Sequence, residues 1–550
     1  MLRSTAALLI ALAVMLAGCM PGKRSGEGPP AQPMVPAVHG GTVRLPIEAA
    51  PTDPALKTLD FSDPRLFALA RCLEVPLVRA SPQGELLPGL ASSSQCSPDG
   101  VTWSFMMRKA PGHEAEPTYF AQGLASSWQV ILRGSNGPLA AQLGDMLTGA
   151  REFASGKAGS IAGITVTGST LELKLTRANR ILPLWLSQPG LGLLDKREAP
   201  TAGFAPFLLA SSANGELVLK PNPAALDGPP LLDELRFICV PDRGRQLALF
   251  LEGKLDAANL DVDAVQTARA DPALAPALVD HQTAAVVTAL FNQSHFPWGD
   301  SKFQSKLGLR QALNWALDRE YLGTALEGQI TPWTHILPPP FRSFLDPASL
   351  AKPLYPLAPE IELARQGEID ADHEQGSHLI PGMDLGYLRT AHLEAAAVLI
   401  LHDWKAISID MRPFPLTEAE LELRVRKKSH EILLKRACPA YPDPDAFFYP
   451  VFRSTLAGTG GNWSYLSDDS IDKMLTDAEA QADSIARQEL YRKLGLEVEM
   501  QSLCVLLGYA SPTMLISPEL AGLSLTPYDF DASLPAQDFT KLGRKAEPER

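Results

Sequence analysis

Beyond its first 17 residues the chain has no uncharged apolar run of about 18 residues, the length a helix needs to cross a bilayer, so no spanning segment is expected in its body. Histidine is scarce and scattered, at 10 residues. No serine, cysteine or threonine stands in a motif with a plausible base beside it, so no enzyme, cofactor or metal is expected. "GKAGS" (156–160) lacks the spacing of a phosphate loop, and "GSIAG" (159–163) is not G-x-S-x-G. The six cysteines, Cys19, Cys72, Cys96, Cys239, Cys438 and Cys504, have no C-x2-C spacing, which excludes the common zinc patterns. Positive charge is in deficit: 49 Lys and Arg stand against 62 Asp and Glu, a net charge of −13, so no basic face for nucleic acid is expected.

What is present is length and a globular composition. At about 100–200 residues per domain, 550 residues suggest two to four domains. Hydrophobic residues make up 45% and charged residues 20%, while 48 prolines imply many turns. At the N-terminus Arg3 precedes the apolar "AALLIALAVMLA" (6–17), which is too short to span a membrane comfortably. "LAGC" (16–19) follows and resembles a bacterial lipobox, which implies cleavage after residue 18 and lipid attached to Cys19. Residues 19–39, rich in proline and glycine, read as a flexible tether. The expected location is the cell envelope, anchored by lipid and facing the periplasm or the cell exterior. That compartment permits disulfides. Of the five remaining cysteines, Cys72 and Cys96 are nearest in sequence and form the candidate pair.

The body alternates strand and helix signals. "GGTVRLPIE" (40–48) reads as a strand, and 65–79 as a helix running into an extended piece. Val101, Trp103 and Phe105 share one strand face after the turn "SPDG" (97–100). "GITVTGSTLELKLT" (163–176) reads as a hairpin bending at Gly168 and Ser169. "LRQALNWALDREYL" (309–322) reads as a helix with Leu309, Leu313, Ala316 and Leu317 on one face and its charges, Arg310, Asp318, Arg319 and Glu320, elsewhere. Thr417 and Glu420 have capping-box spacing. "EILLKR" (431–436) reads as a buried strand, and 472–482 and 484–502 as helices.

The order of these pieces resembles the extracellular solute-binding proteins of the dipeptide, oligopeptide and nickel type that serve ABC importers. The resemblance is carried by "GGTVRLPIEAAPTDP", "LLPGLASSSQCSPDGVTWSFMMRKAPG", "LDELRFICVPDRGRQLALFLEGKLDAANL", "SKLGLRQALNWALDREYL", "YPDPDAF" and "YLSDDSIDKMLTDAEAQADSIARQELYRKL", in the family's order. It implies an α/β, two-lobed periplasmic-binding-protein-like fold with an additional subdomain and a cleft between the lobes. The implied divisions are a signal peptide at 1–18, the tether at 19–39, lobe I at 40–56, the subdomain at 57–175, lobe I again at 176–275, lobe II at 276–505, a last lobe I segment at 506–540 and a tail at 541–550. The implied function is capture of a small polar or peptide-like solute by lobe closure and delivery to the permease of an ABC importer, by a monomer. The alternative is a divergent, non-transporting member acting as a surface sensor or interaction protein. Departures from the family pattern motivate it: "TAGFAPF" (201–207) and "NPAAL" (222–226) replace more regular motifs. Ala440 also stands where peptide-binding members carry the aspartate that grips the peptide's α-amino group.

Two stretches are candidate ligand contacts. In "YPDPDAF" these are Tyr441, Asp443 and Asp445, within a turn that Asp-Pro initiates. In "AGTGGNWSYL" (457–466) they are Asn462, Trp463 and Tyr465, an aromatic group with polar tips. "IDADHEQGSH" (369–378) imitates a zinc-protease helix, but its two histidines are five apart with Gly376 between them, so a solvated loop is expected.

Overall fold

Thr42–Ile47 alternates as a half-buried strand must: Val43, Leu45 and Ile47 are buried, while Arg44 on the opposite face reaches Asp256. It pairs in parallel with Glu234–Cys239, which continues antiparallel to Glu216–Pro221 and then Phe207–Ala213. This sheet comes from a computed structural model that describes residues 37–48, 66–109, 117–134, 137–193, 203–294, 298, 307–373, 383–523, 525–528 and 539–545. Cys19, the signal segment and the tether through residue 36 lie outside the described residues, as do residues 374–378 of the acid- and histidine-bearing stretch, whose residues 369–373 end the helix Ile361–His373 where a loop was expected. The predicted helix and extended piece over 65–79 are Phe67–Leu73 and Val78–Ala80.

A second sheet has four strands in the order Ala91–Cys96, Thr102–Met107, Thr170–Lys174, Ile164–Thr167. Gly168, at φ +56°, sits in the bend of the predicted hairpin, where a left-handed residue closes the tight turn. Trp103, Phe105 and Met107 face a core shared with the helices Pro117–Gly134 and Pro138–Met146. That core is not built from one stretch of chain: Tyr441, Ala446, Tyr449 and Leu456 also belong to it.

The largest sheet has six strands, ordered Ile330–Pro332, Cys504–Ala510, Val286–Phe291, Ile432–Ala437, Asp384–Leu388, Arg412–Leu416. Cys504–Ala510 and Val286–Phe291 are buried along their whole length because side chains pack on both faces. On one face lie Leu309, Leu313, Trp404 and Ile400; on the other, Phe448, Tyr491, Leu494 and Val498.

The predicted single helix over 309–322 is two helices, Leu307–Trp315 and Arg319–Ala325. Asp318 separates them, because its side chain accepts from the Tyr321 N–H at 2.8 Å and so starts a new helix. The four apolar residues are buried as expected, but two of the charges are buried with them. Arg310 donates to the carbonyl oxygens of Gln501 and Ser502, and Arg319 to those of Asn314, Pro356 and Leu506. Each guanidinium satisfies main-chain acceptors inside the protein, several of them at helix ends whose carbonyls have no partner within the helix.

The expected Cys72–Cys96 bond is not formed. Both thiols are free. Cys72 is buried in the core of the first sheet with Val43 and Leu45, whereas Cys96 packs at the edge of the second sheet beside Arg180. The two ends of the described chain meet in a small sheet in which Gly543–Lys545 pairs with both Ala37–Val38 and Leu520–Ala521.

Candidate functional site

The strand Ile432–Ala437 runs from buried, through Leu434, to half-exposed side chains at its end. Leu434, Lys435, Arg436 and Ala437 emerge there on a cavity of about 650 Å³, and Cys438, Ala440 and Tyr441 continue its wall. That volume is within the range of small-molecule sites. Around the strand end stand Gln142 from the Pro138–Met146 helix, His392 and Leu393 from the Ala391–Lys405 helix, and Leu421 and Val425 from the Glu418–Lys427 helix. Trp463 and Glu48 also line it. Residues from both the second-sheet core and the six-stranded sheet therefore face one space.

The Glu418–Lys427 wall is fixed at its start. Thr417 accepts from the Glu420 N–H and the Glu420 carboxylate accepts from the Thr417 N–H, so the predicted capping box is formed. Leu421 and Val425, one helical turn apart, then face inward while Glu418 and Glu422 stay exposed at the rim.

Of the six candidate contacts, Tyr441 and Trp463 line the cavity and the other four do not. Asp443 is turned into the protein, where Arg487 donates to its two carboxylate oxygens at 2.6 and 2.9 Å. Asp445 is fully buried and accepts from the hydroxyls of Tyr441 at 2.8 Å and Tyr491 at 2.9 Å. Burial, with Glu479 and Asp443 nearby, pushes the Asp445 carboxyl well above the usual carboxylate range. Asn462 is buried as a turn brace, donating to the carbonyls of Arg453 and Leu466 and accepting from Ser464. Tyr465 lies at φ +53° with its hydroxyl donating to the Val425 carbonyl and Lys428 over its ring.

The neighbouring buried acids are occupied as well. Arg177 donates to Asp145 at 2.8 Å and to Glu479 at 2.7 Å, Arg453 to Glu479 at 2.8 Å, and the Tyr449 hydroxyl to Asp145 at 3.0 Å. Burial works against the ionised Asp145, yet Arg177 and its hydrogen bonds keep that carboxyl below its ordinary value. At the cavity wall itself Glu48 is paired to Arg243 at 2.9 Å and Glu422 to Arg426 at 2.5 Å.

Sequence reasoning passed over Lys435. Its Nζ stands 4.0 Å from the centre of the Trp463 ring, a cation–π contact. Among the described residues it has no ion pair and no hydrogen bond to its ammonium. The side chain is exposed only in part, toward the cavity, and the surrounding protein alone pulls the ammonium down to about 8. The signal was present in the sequence: a lysine in the middle of a strand that otherwise reads as buried, "EILLKR". Among the described residues no group of three or more His, Cys, Asp or Glu is placed to hold a metal ion.

Comparison with known proteins fits this architecture. The model of the bacterial extracellular solute-binding proteins, family 5 middle, matches residues 85–459. A probable di/tripeptide-binding protein 5 of Pseudomonas aeruginosa is 26% identical over 372 residues, which is 64% of this chain and 64% of that relative's own length. The nickel-binding periplasmic protein of Escherichia coli is 23% identical over 502 residues, 88% of this chain and 92% of the relative. Among solved structures, clavulanic acid biosynthesis oligopeptide binding protein 2 superposes with a TM-score of 0.76 at 19% identity, covering 93% of this chain and 97% of the other.

Proposed function

Because this chain belongs to the bacterial extracellular solute-binding proteins of family 5, and has their two-lobed α/β architecture, we propose that it captures a small polar, peptide-like solute and delivers it to an ABC importer. The observation that carries this reading is the cavity of about 650 Å³ where residues of the second-sheet core and the six-stranded sheet face each other. A solute there would touch both bodies at once, so its binding energy favours the arrangement in which they are close together. The names of the relatives point to peptides or to nickel. The peptide-like class is favoured because the family resemblance of the dipeptide and oligopeptide type is joined by a di/tripeptide-binding relative and peptide-binding solved structures. Lipid on Cys19 would hold the protein at the membrane surface on a tether, beside its permease. No described helix is long and apolar enough to cross a membrane.

The test is native mass spectrometry of the purified chain from residue 20 onward, before and after gentle denaturation, followed by thermal-shift measurements with di- and tripeptide libraries. A released small molecule, or stabilisation of about 2.7 kcal/mol by a ligand at a hundred times its dissociation constant, is expected. Silence in both would remove the receptor reading and leave the non-transporting sensor.

A further inference from the structure

Resting on the receptor reading, we propose that the solute is recognised through a carboxylate that docks on Lys435 over the Trp463 indole, and that it needs no free amino group. Three observations carry this. The first is a cation that has no anionic partner among the described residues and is held inside the cavity wall rather than on the surface. A lysine ammonium enclosed by protein loses hydration, and an indole face recovers only part of that loss. An incoming carboxylate would supply the missing charge-assisted hydrogen bond.

The second observation is that the buried acids behind Tyr441 are already engaged by donors of the protein itself. Asp443 is held bidentate by Arg487, Asp445 accepts from two tyrosine hydroxyls, and Asp145 and Glu479 are engaged by Arg177, Arg453 and Tyr449. Ala440, which lines the cavity, contributes only a methyl group. The third is the sign of the wall around Lys435. Arg436 also lines the cavity, and of the three acids in the lining Glu48 is held by Arg243, Glu422 by Arg426, and Glu418 stands exposed at the rim, where water and salt weaken it. Beyond the anion subsite, Tyr441, Leu421 and Val425 offer apolar and aromatic contact. The chemical class is thus a small carboxylic acid with an amide or otherwise uncharged body: a peptide read from its carboxyl end, or an N-substituted amino acid.

The experiment uses one dipeptide library in three forms, free, N-acetylated and C-amidated, with thermal shift and then calorimetry on the best responders. Free and N-acetylated libraries are expected to stabilise the protein alike, and the C-amidated library not at all. In Lys435→Gln the responders should bind about tenfold to a hundredfold more weakly. Lys435→Arg should restore most of the affinity, which a merely structural role for the lysine would not require. Lys435→Gln removes a charge from an enclosed site, and near-unchanged thermal melting without ligand checks that it is folded. The proposal is overturned if the amidated library binds as well as the free one, or if N-acetylation abolishes binding; both results leave the receptor reading standing. If no library binds, the solute released in native mass spectrometry decides: an acid supports the proposal and a neutral or cationic molecule overturns it. With no library binding and no released solute, the receptor reading falls, and the proposal with it.

Discussion

Arg487 and Asp443 sit 44 residues apart in the chain and meet with side chains only 12% and 5% exposed. Removing one partner of such a pair leaves a charge buried alone. Arg487→Met should therefore cost about 3–5 kcal/mol of stability in urea unfolding. It should leave the affinity of the remaining folded molecules for solute little changed, because neither residue lines the cavity. Glu74 offers a second test at this scale. It is fully enclosed, its carboxylate accepts from the N–H groups of Gly190 at 2.8 Å and Gly192 at 3.1 Å, and burial raises its carboxyl from 4.5 to about 7. The folded protein then holds a proton that the unfolded chain releases above pH 4.5. This group's contribution to stability accordingly falls as pH rises from about 4.5 to 7, by about 3 kcal/mol, and the full penalty persists above 7. Glu74→Gln should flatten the decline of urea midpoints across that window. An unchanged slope would show that the decline originates elsewhere. The acids of "YPDPDAF" mark the limit of reading at this scale. The turn was legible from Asp-Pro, but which way its carboxylates point depends on Arg487 and Tyr491, which no local pattern identifies.

Elements were legible where their signals are local. The hairpin at Gly168, the capping box at Thr417 and the strand "EILLKR" each depend on a few adjacent residues, and each stands as expected. The helix over 309–322 was misjudged as continuous because the apolar spacing persists through the break. Asp318 caps the second segment, and the buried Arg310 and Arg319 serve carbonyls from distant parts of the chain. The cavity wall was only half legible for the same reason: Trp463 and Tyr441 stood out as aromatics, while Lys435 was hidden inside a buried strand. A prediction belongs to the capped wall. Thr417→Ala removes one capping bond and should cost about 1 kcal/mol. In hydrogen exchange, protection should drop first in the amides of Glu418–Lys427, which include those of Leu421 and Val425 at the cavity. Uniform loss of protection across the protein would instead mean that the helix does not open on its own.

At the scale of the whole molecule, the cores are assembled from widely separated stretches. The first-sheet core takes Val43 and Leu45 from one end of the chain and Phe539 and Leu542 from the other, the last two being 2% and 0% exposed. Ending the chain after residue 538 would remove these two side chains and the middle strand of the small sheet. Loss of one large buried side chain costs about 2–5 kcal/mol. The shortened protein should consequently lose most of its cooperative urea transition, although the six-stranded sheet is untouched. A near-normal midpoint would mean that Gly543–Lys545 is an ornament on a fold already complete.

The pairing of Ala37 with Lys545 also sets a clock. A chain that leaves the ribosome, or is threaded across a membrane, with its N-terminus leading presents Ala37–Val38 early and their partner strand among its last residues. The sheet that joins them cannot close until nearly the whole polypeptide has emerged. Until then Val43, Leu45 and Leu520 lack part of the packing they have in the finished core. The newborn molecule therefore passes through a long interval in which its C-terminal elements are awaited and apolar surface is open to chaperones and proteases alike. How long that interval lasts is set by the speed of synthesis or translocation, not by how fast the sheet itself can form.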